Sequence, residues 1–187
     1  TKFIVNLSLD AIGSEHDQIR GVKDNYIKAL KTFKSLRELN NKNLTLGIGT
    51  VISNFNVKNF PQIYDQLIKL GPDSYVTEIA EARGELDTLN SQITPDYPDY
   101  SQAIDYLIQK MNPPAGGQKI KGLARRTRAF RLVYYRLVKD WLKNKKQIIP
   151  CYAGLASALI AANGDVWTCC VLAQNISSGL TDVVPNY

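Results

Sequence analysis

The sequence predicts an α/β fold, in which parallel strands alternate with helices and are followed by further helices and a cysteine-bearing β-hairpin. The first observation is strand-like alternation of side chains over residues 3–10 and 43–53, with a third strand over 73–80. The second is helical periodicity between these strands, which is typical of consecutive βα units and a parallel sheet. The third is that all three cysteines lie within residues 151–170, around a turn signal.

The composition indicates one good-sized folded domain rather than a disordered or membrane-spanning chain. The 187 residues are 44% hydrophobic, which is enough for a sizeable core. No apolar run approaches the ~20 residues of a membrane span, and the first residues lack the layout of a signal peptide. Three clustered cysteines are an odd count and do not resemble a secreted disulfide framework. We therefore expect a cytoplasmic protein without a membrane partner.

The positive charge is concentrated in one predicted helix, over about residues 120–144. The segment 119–146 contains 11 of the 23 basic residues and one acid, Asp140, while the rest of the chain is mildly acidic. The pattern favours a solvated basic face, and a nucleic-acid partner is not implied. The alternative is a non-catalytic binding module whose basic helix meets an acidic partner or nucleic acid. The residues predicted to pack inward are Leu123, Phe130, Val133, Tyr134, Leu137, Val138 and Trp141.

The first two strands carry the candidate binding residues. Asn6, Ser8 and Asp10 form one row, and in an α/β fold they lie toward the carboxyl end of the strand, where such folds place their sites. An antiparallel strand with a solvated face is the alternative. Gly47 and Gly49 share one face of the second strand and leave room for a ligand or another backbone. A bulge or bend explains two glycines equally well.

The remaining segments predict helices and the connections between them. A helix is expected over 22–40, a second after Asn59, and a third after a loop over 87–99. The run 112–117 is the strongest internal linker candidate, since it contains two prolines and two glycines. His16 is the only histidine, and its polar surroundings in the sequence predict a surface position.

The cysteine segment predicts a hairpin that brings thiols together. Asn163-Gly164 is typical of a type I′ turn, which folds Cys169 back toward Cys151. Neighbouring thiols suit a soft metal or an iron–sulfur cluster. Two alternatives stay open: ordinary buried cysteines, and a zinc site formed by Cys151, Cys169 and Cys170.

Several of these segments resemble radical S-adenosylmethionine (radical SAM) enzymes. The run 3–10, followed by His16-Asp17 and Ile19-Arg20-Gly21, is similar to their fourth barrel strand and the loop after it. The run 50–56 is similar to the end of their fifth strand. The cysteine segment is similar to the opening of the cysteine-rich extension called SPASM, or twitch in its shorter form. The similarity is in the spacing: twelve residues separate Cys151 from Gly164, and four separate Gly164 from Cys169.

The sequence also departs from the family pattern. It lacks the Cys-x3-Cys-x2-Cys loop and the glycine-rich second strand, and Ala11 stands where the family usually has glycine. The resemblance therefore implies a partial (β/α) TIM-type barrel over 1–112, a basic connecting helix over 113–147, and the start of a SPASM/twitch domain over 148–187. On this interpretation the chain alone is expected to be inactive.

The resemblance further implies an enzyme, two cofactors and their ligands. An intact radical SAM enzyme cleaves S-adenosylmethionine reductively to a 5′-deoxyadenosyl radical, which abstracts hydrogen from a peptide or small-molecule substrate. A reductant protein of flavodoxin or ferredoxin type supplies the electron. Asn6, Ser8, Asp10, Gly47 and Gly49 are the implied cofactor-binding residues. Cys151, Cys169 and, as a weaker candidate, Cys170 are the implied ligands of an auxiliary [4Fe–4S] cluster.

Overall fold

A computed structural model of the protein describes residues 2–83, 86, 88, 90–111, 122–169 and 171. Within these ranges the chain forms five α-helices, a three-stranded sheet and a two-stranded sheet. In chain order the elements are β1 (Phe3–Ser8), α1 (Ser14–Arg20), α2 (Asn25–Glu38), β2 (Leu44–Ile52), α3 (Phe60–Leu67), β3 (Ser74–Ile79), α4 (Tyr97–Met111), α5 (Gly122–Asn144), β4 (Leu159–Ile160) and β5 (Val166–Trp167).

The larger sheet confirms the predicted α/β class. Its strand order is β1-β2-β3, and both neighbouring pairs are parallel. One face is covered, because Leu46, Ile48 and Ile52 of β2 are fully buried among helical side chains. The other face bears residues from the alternate positions, of which Ile4 and Ser8 are exposed. This arrangement follows from the period of two in a strand, which sends successive side chains to opposite faces.

Two packed clusters hold the helices against the covered face. One lies between β1, β2, α2 and α3, with Leu9, Phe33 and Leu67 at its centre. The other joins α3, α4 and α5 to the ends of β2 and β3. Its largest fully buried side chains are Phe60, Ile52, Tyr100, Ile104, Tyr135 and Leu142. The basic helix α5 is therefore packed into the same core as the sheet. The predicted domain boundaries at 112 and 147 stay predictions, and the first of them lies outside the described residues.

The inward face of α5 differs from the predicted one. Phe130, Val133 and Trp141 are exposed, whereas Tyr135 and Leu142 are buried. The helix has apolar residues around much of its circumference, so tertiary packing decides which of them turn inward. Tyr135 is fixed by the core itself, because its hydroxyl accepts a hydrogen bond from the Thr77 hydroxyl at 3.0 Å. Leu123 lies outside the residues whose side chains are described, and the predicted stripe is wrong at three of its other six positions.

Two local predictions also need correction. Helix α4 begins at Tyr97, inside the segment predicted as a loop, and Pro98 lies in its first turn. Proline is tolerated there because a backbone N–H in the first turn has no intrahelical partner to lose. The segment after β1 contains helix α1 and turns its histidine into the core rather than to the surface. Among the described residues, no helix combines the length and apolar character needed to span a membrane.

Candidate functional site

The uncovered face of the sheet brings the predicted polar row and the two glycines together. The register pairs Asn6 with Gly47 and Ser8 with Gly49 across the two parallel strands. Asn6 and Ser8 are exposed, and Glu78 of β3 is exposed on the same face. We call this surface the open face and define it by Asn6, Ser8, Gly47, Gly49 and Glu78. It contains hydroxyl, amide and carboxylate groups beside strand positions without side chains.

The two glycines of the open face have different surroundings. A Cβ atom on Gly47 would overlap Oδ1 of Asn6 and lie 2.6 Å from Oγ of Ser74, so the missing side chain lets those two groups lie over the strand. A Cβ atom on Gly49 would meet nothing within 4 Å. The space above Gly49 is therefore open and borders Ser8, its partner in the register. Both glycines pair one to one with residues of β1 and of β3, so neither forms a bulge.

Asp10 follows the same polar row but has a different environment. Its carboxylate is almost fully buried, and Oδ1 accepts the backbone N–H of Val51 at 2.9 Å. Oδ2 lies 2.6 Å from Nε of Arg20. Its backbone carbonyl accepts a hydrogen bond from Nδ2 of Asn56 at 2.8 Å, and its N–H donates to Nδ1 of His16 at 3.1 Å. All four polar positions of Asp10 are thus bound by the protein itself.

His16 is buried completely, which contradicts the predicted surface position. Its Nδ1 accepts the Asp10 N–H, so this nitrogen carries no proton and the neutral ring is protonated on Nε2. Nε2 is buried without a hydrogen-bond partner among the described residues. Burial lowers the pKa of His16 and the nearby Arg20 adds to this effect, while Asp10 and Asp17 oppose it. The physical reason for burial is the short helix α1, which folds back over the end of β1.

We call this arrangement the Asp10 network, formed by Asp10, His16, Arg20, Val51 and Asn56. Asn56 extends it along β2, because Nδ2 also donates to the Val51 carbonyl and Oδ1 accepts the Ser53 N–H, both at 2.8 Å. The network ties the carboxyl end of β1 to that of β2, immediately beside Ser8 and Gly49. Sequence reasoning missed the roles of His16, Arg20 and Asn56. The four-residue spacing of His16 and Arg20 was the available signal, since it places both side chains on one face of a helix.

The cysteine segment forms a hairpin, as predicted, but its strands are shorter than the runs 158–162 and 165–169 that flank the turn signal in the sequence. Only Leu159–Ile160 and Val166–Trp167 pair as strands. Of the Asn163-Gly164 pair only Gly164 has positive φ, at 91°. The predicted type I′ turn is therefore wrong, because that turn needs positive φ at both central residues. The observed bonds, Gly164 N–H to the Ala161 carbonyl and Ala161 N–H to the Asp165 carbonyl, fit a longer loop with one left-handed glycine.

A close contact joins the segments that carry two of the cysteines. Gly154 has φ of 85°, and a Cβ atom on it would lie 2.8 Å from Cγ2 of Thr168. Gly154 is three residues from Cys151 and Thr168 is adjacent to Cys169, so this contact packs the two segments against each other. Cys151 is exposed and Cys169 is half-buried. Cys170 lies outside the described residues.

Two of the described side chains have the chemistry of iron–sulfur ligands. A [4Fe–4S] cluster is held by four thiolates, and the described part of the hairpin supplies two cysteines. No group of three or more His, Cys, Asp or Glu side chains placed to hold a metal ion exists among the described residues. The assignment of Cys151 and Cys169 as cluster ligands therefore stays a prediction.

Comparisons with known proteins assign no family. A scan of the chain against protein-family models finds no match, and a search of the curated proteins finds none either. The function is therefore argued from the open face, the Asp10 network and the hairpin.

Proposed function

We propose that the chain is part of a radical SAM enzyme. In this proposal the parallel βα units belong to a partial (β/α) TIM-type barrel whose interior is the open face, and the hairpin begins a SPASM/twitch extension. Three parallel strands with helices on one face and a polar, glycine-containing face on the other support the barrel assignment. The single observation that carries the cofactor assignment is the open space over Gly49 beside the exposed Ser8 hydroxyl.

The residues of the open face have separate roles toward the cofactor. The Ser8 hydroxyl and the Asn6 amide are hydrogen-bonding partners for ribose hydroxyls or the methionine portion, and the bare backbone at Gly49 accommodates the adenine ring. S-adenosylmethionine, when bound beside a reduced cluster, supplies a 5′-deoxyadenosyl radical for hydrogen abstraction. Asp10 does not contact the cofactor in this proposal. Its carboxylate is bound by Val51 and Arg20, so it positions the ends of β1 and β2 beside the cofactor site. Gly47 makes room for Asn6 rather than for a ligand.

In the proposal the hairpin forms part of an auxiliary [4Fe–4S] site, separate from the cofactor site on the open face. The Sγ atoms of Cys151 and Cys169 are the proposed iron ligands, and Cys170 is a further candidate. Adjacent residues in a strand point to opposite faces, so Cys169 and Cys170 are not expected to bind the same iron. An electron-donating protein and a peptide or small-molecule substrate are the partners that this function requires.

Cofactor binding tests the proposal without requiring turnover. After anaerobic reconstitution with iron and sulfide, equilibrium dialysis measures the dissociation constant for S-adenosylmethionine. Gly49→Val adds a side chain to the open space and is expected to raise this constant at least tenfold, as a steric block of about 1.4 kcal/mol or more. Thr45→Val is the matched control, since Thr45 lies on the same face of β2 at its other end.

Two results would contradict the cofactor assignment. One is the absence of binding by the unaltered chain under reconstituted conditions. The other is equal affinity of the unaltered chain and the Gly49→Val variant, which would place S-adenosylmethionine away from the open face.

A further inference from the structure

A groove opens at the carboxyl end of β3, beside helix α5. Its volume is about 610 Å³, and it lies between β3, α5 and residues 147–149. The wall that β3 contributes is Ile79, whose side chain belongs to the covered face of the sheet. We call this cavity the apolar groove. It lies at the end of the strands where α/β folds place their ligands, yet none of its described lining residues belongs to the open face or to the Asp10 network.

The walls of the apolar groove are mostly aliphatic or aromatic. They include Ile79, Leu137, Val138, Trp141, Ile148 and Ile149. Trp141, Ile148 and Ile149 are 40%, 43% and 57% exposed, so much of this apolar surface is open to solvent. Covering apolar surface is favourable by about 25 cal/mol per Å², and cavities of roughly 300–1,000 Å³ accommodate drug-sized ligands. The groove therefore has the size and the surface to bind a small apolar molecule.

The charges at the groove favour an uncharged ligand. Among its described lining residues none is lysine or arginine, so an anion would find no cationic partner there. The one carboxylate of the described lining is Glu81, and its Oε2 atom lies 3.7 Å from Nε of Arg83. Its negative charge is therefore already offset by a neighbouring residue. Because moving an ion out of water costs free energy unless the ion is paired, an uncharged molecule fits this groove better than an ion.

Tyr134 gives the groove a hydrogen-bond donor. Its hydroxyl oxygen accepts the Ile79 N–H at 3.1 Å, and its proton has no acceptor among the described residues. The other polar side chains are engaged differently, because Thr94 and Gln147 donate to backbone carbonyls at 2.8 and 2.7 Å. A ligand oxygen that accepts the Tyr134 proton would therefore fix the orientation of an otherwise apolar molecule.

We propose that the apolar groove binds a small, uncharged and mainly apolar molecule that carries a hydrogen-bond acceptor. The apolar body of the molecule contacts Trp141 and the aliphatic walls. A carbonyl, hydroxyl or ether oxygen of the molecule accepts the proton of the Tyr134 hydroxyl. This site is independent of the radical SAM assignment.

Other occupants fit the groove less well. The phosphates of a nucleic acid would need the cations that the described lining lacks, even though Trp141 offers a ring for stacking. An organic cation would approach α5, which contains seven basic residues and one acidic residue. A protein partner that buries about 1,000 Å² or more would also cover the solvent side of α5. There the exposed Asp140 lies among basic residues, so that surface has no single sign of charge for a partner to complement.

Dye fluorescence in the full chain tests the location of the site. The probe is 1-N-phenylnaphthylamine, an uncharged apolar dye that brightens when it leaves water. Ala82→Phe places a ring in the groove, and Ile149→Asp places a charge in its wall. Each is expected to weaken dye binding at least about tenfold. Ala129→Phe is the matched control, since Ala129 is exposed on α5 and does not line the groove.

Displacement of the dye tests the chemical class of the ligand. The competitors share the naphthalene rings and differ in charge: 1-naphthylmethanol is neutral, 1-naphthoate is an anion and protonated 1-naphthylmethylamine is a cation. The alcohol is expected to displace the dye at concentrations at least about tenfold lower than either ion. Tyr134→Phe should weaken the alcohol about threefold to tenfold and leave 1-methylnaphthalene, which has no acceptor, unchanged.

Several results would overturn the assignment. One is the absence of dye binding, or equal dye affinity in the unaltered chain and in both groove variants, which would place the dye elsewhere. Circular dichroism checks that the variants are folded, and Ile149 is exposed enough that its substitution removes little core packing. Displacement by either ion at the same concentration as the alcohol would contradict the uncharged class. Equal losses for the alcohol and 1-methylnaphthalene in Tyr134→Phe would refute the hydrogen bond.

Discussion

The carboxyl end of the sheet and the cysteine hairpin are built in opposite ways. At the sheet end, the N–H, the carbonyl and both carboxylate oxygens of Asp10 are bound by protein groups, and the carboxylate is almost fully buried. In the hairpin the strands are two residues long, and Leu155, Ile160 and Val166 are exposed. The first region is organised by the fold alone. The second has few internal contacts, and the proposed cluster would stabilise it further, since metal binding couples directly to folding.

This contrast predicts unequal costs for removing an aspartate from each region. Asp10→Ala deprives Arg20 and the Val51 N–H of their partner inside the protein, and we expect a loss of about 3 kcal/mol in the free energy of unfolding. Asp165→Ala removes an exposed contact to Asn163 in the hairpin and should cost less than about 0.5 kcal/mol. Urea denaturation of both variants measures the difference. Similar losses would show that the Asp10 network does not organise the sheet end.

The two glycines of the open face are expected to differ in the stability cost of adding a side chain. Gly47→Ala forces Asn6 and Ser74 to move and should cost about 1 kcal/mol. Gly49→Ala meets no neighbour and removes the flexibility of glycine from the unfolded chain, so it should be neutral or stabilise by up to about 1 kcal/mol. Thermal unfolding should show a lower Tm for Gly47→Ala and an equal or higher Tm for Gly49→Ala. A loss of stability in Gly49→Ala would mean that the space above it is already filled by the protein.

His16 makes the stability of the sheet end depend on pH. Burial lowers its pKa in the folded protein, so below its ordinary value of about 6.5 the unfolded chain binds more protons than the folded one. The free energy of unfolding should therefore fall as pH decreases from 6.5 toward the lower folded pKa. A proton on Nδ1 would also face the Asp10 N–H.

The control for this pH dependence is His16→Gln, which can still accept the Asp10 N–H but does not titrate. It removes the only histidine of the chain. Denaturation midpoints measured between pH 5 and pH 7 should decline more steeply for the unaltered protein than for the variant. An equal decline of the midpoint with pH in both proteins would exclude His16 as the source of the pH dependence.

The strands were predictable and the polar network was not. Alternation over 3–10 and 43–53 depends only on nearest neighbours in a strand, so the sequence shows both the elements and the face each residue occupies. The partners of Asp10 are six, ten and 41 or more residues away, and no local pattern encodes such pairings. The buried face of α5 was predicted wrongly for a similar reason. Tyr135 lies on that face, and its hydroxyl is hydrogen-bonded to Thr77 on a distant strand.

Iron binding by the hairpin is the most direct test of the proposed function. The unaltered chain and the variants Cys151→Ser, Cys169→Ser and Ser157→Ala are reconstituted anaerobically with iron and sulfide, and their iron, sulfide and zinc contents are measured. We expect the unaltered chain and the Ser157→Ala control to retain iron and sulfide, and both cysteine variants to lose them. Unchanged iron in both cysteine variants, or zinc bound without sulfide in the unaltered chain, would contradict the cluster assignment.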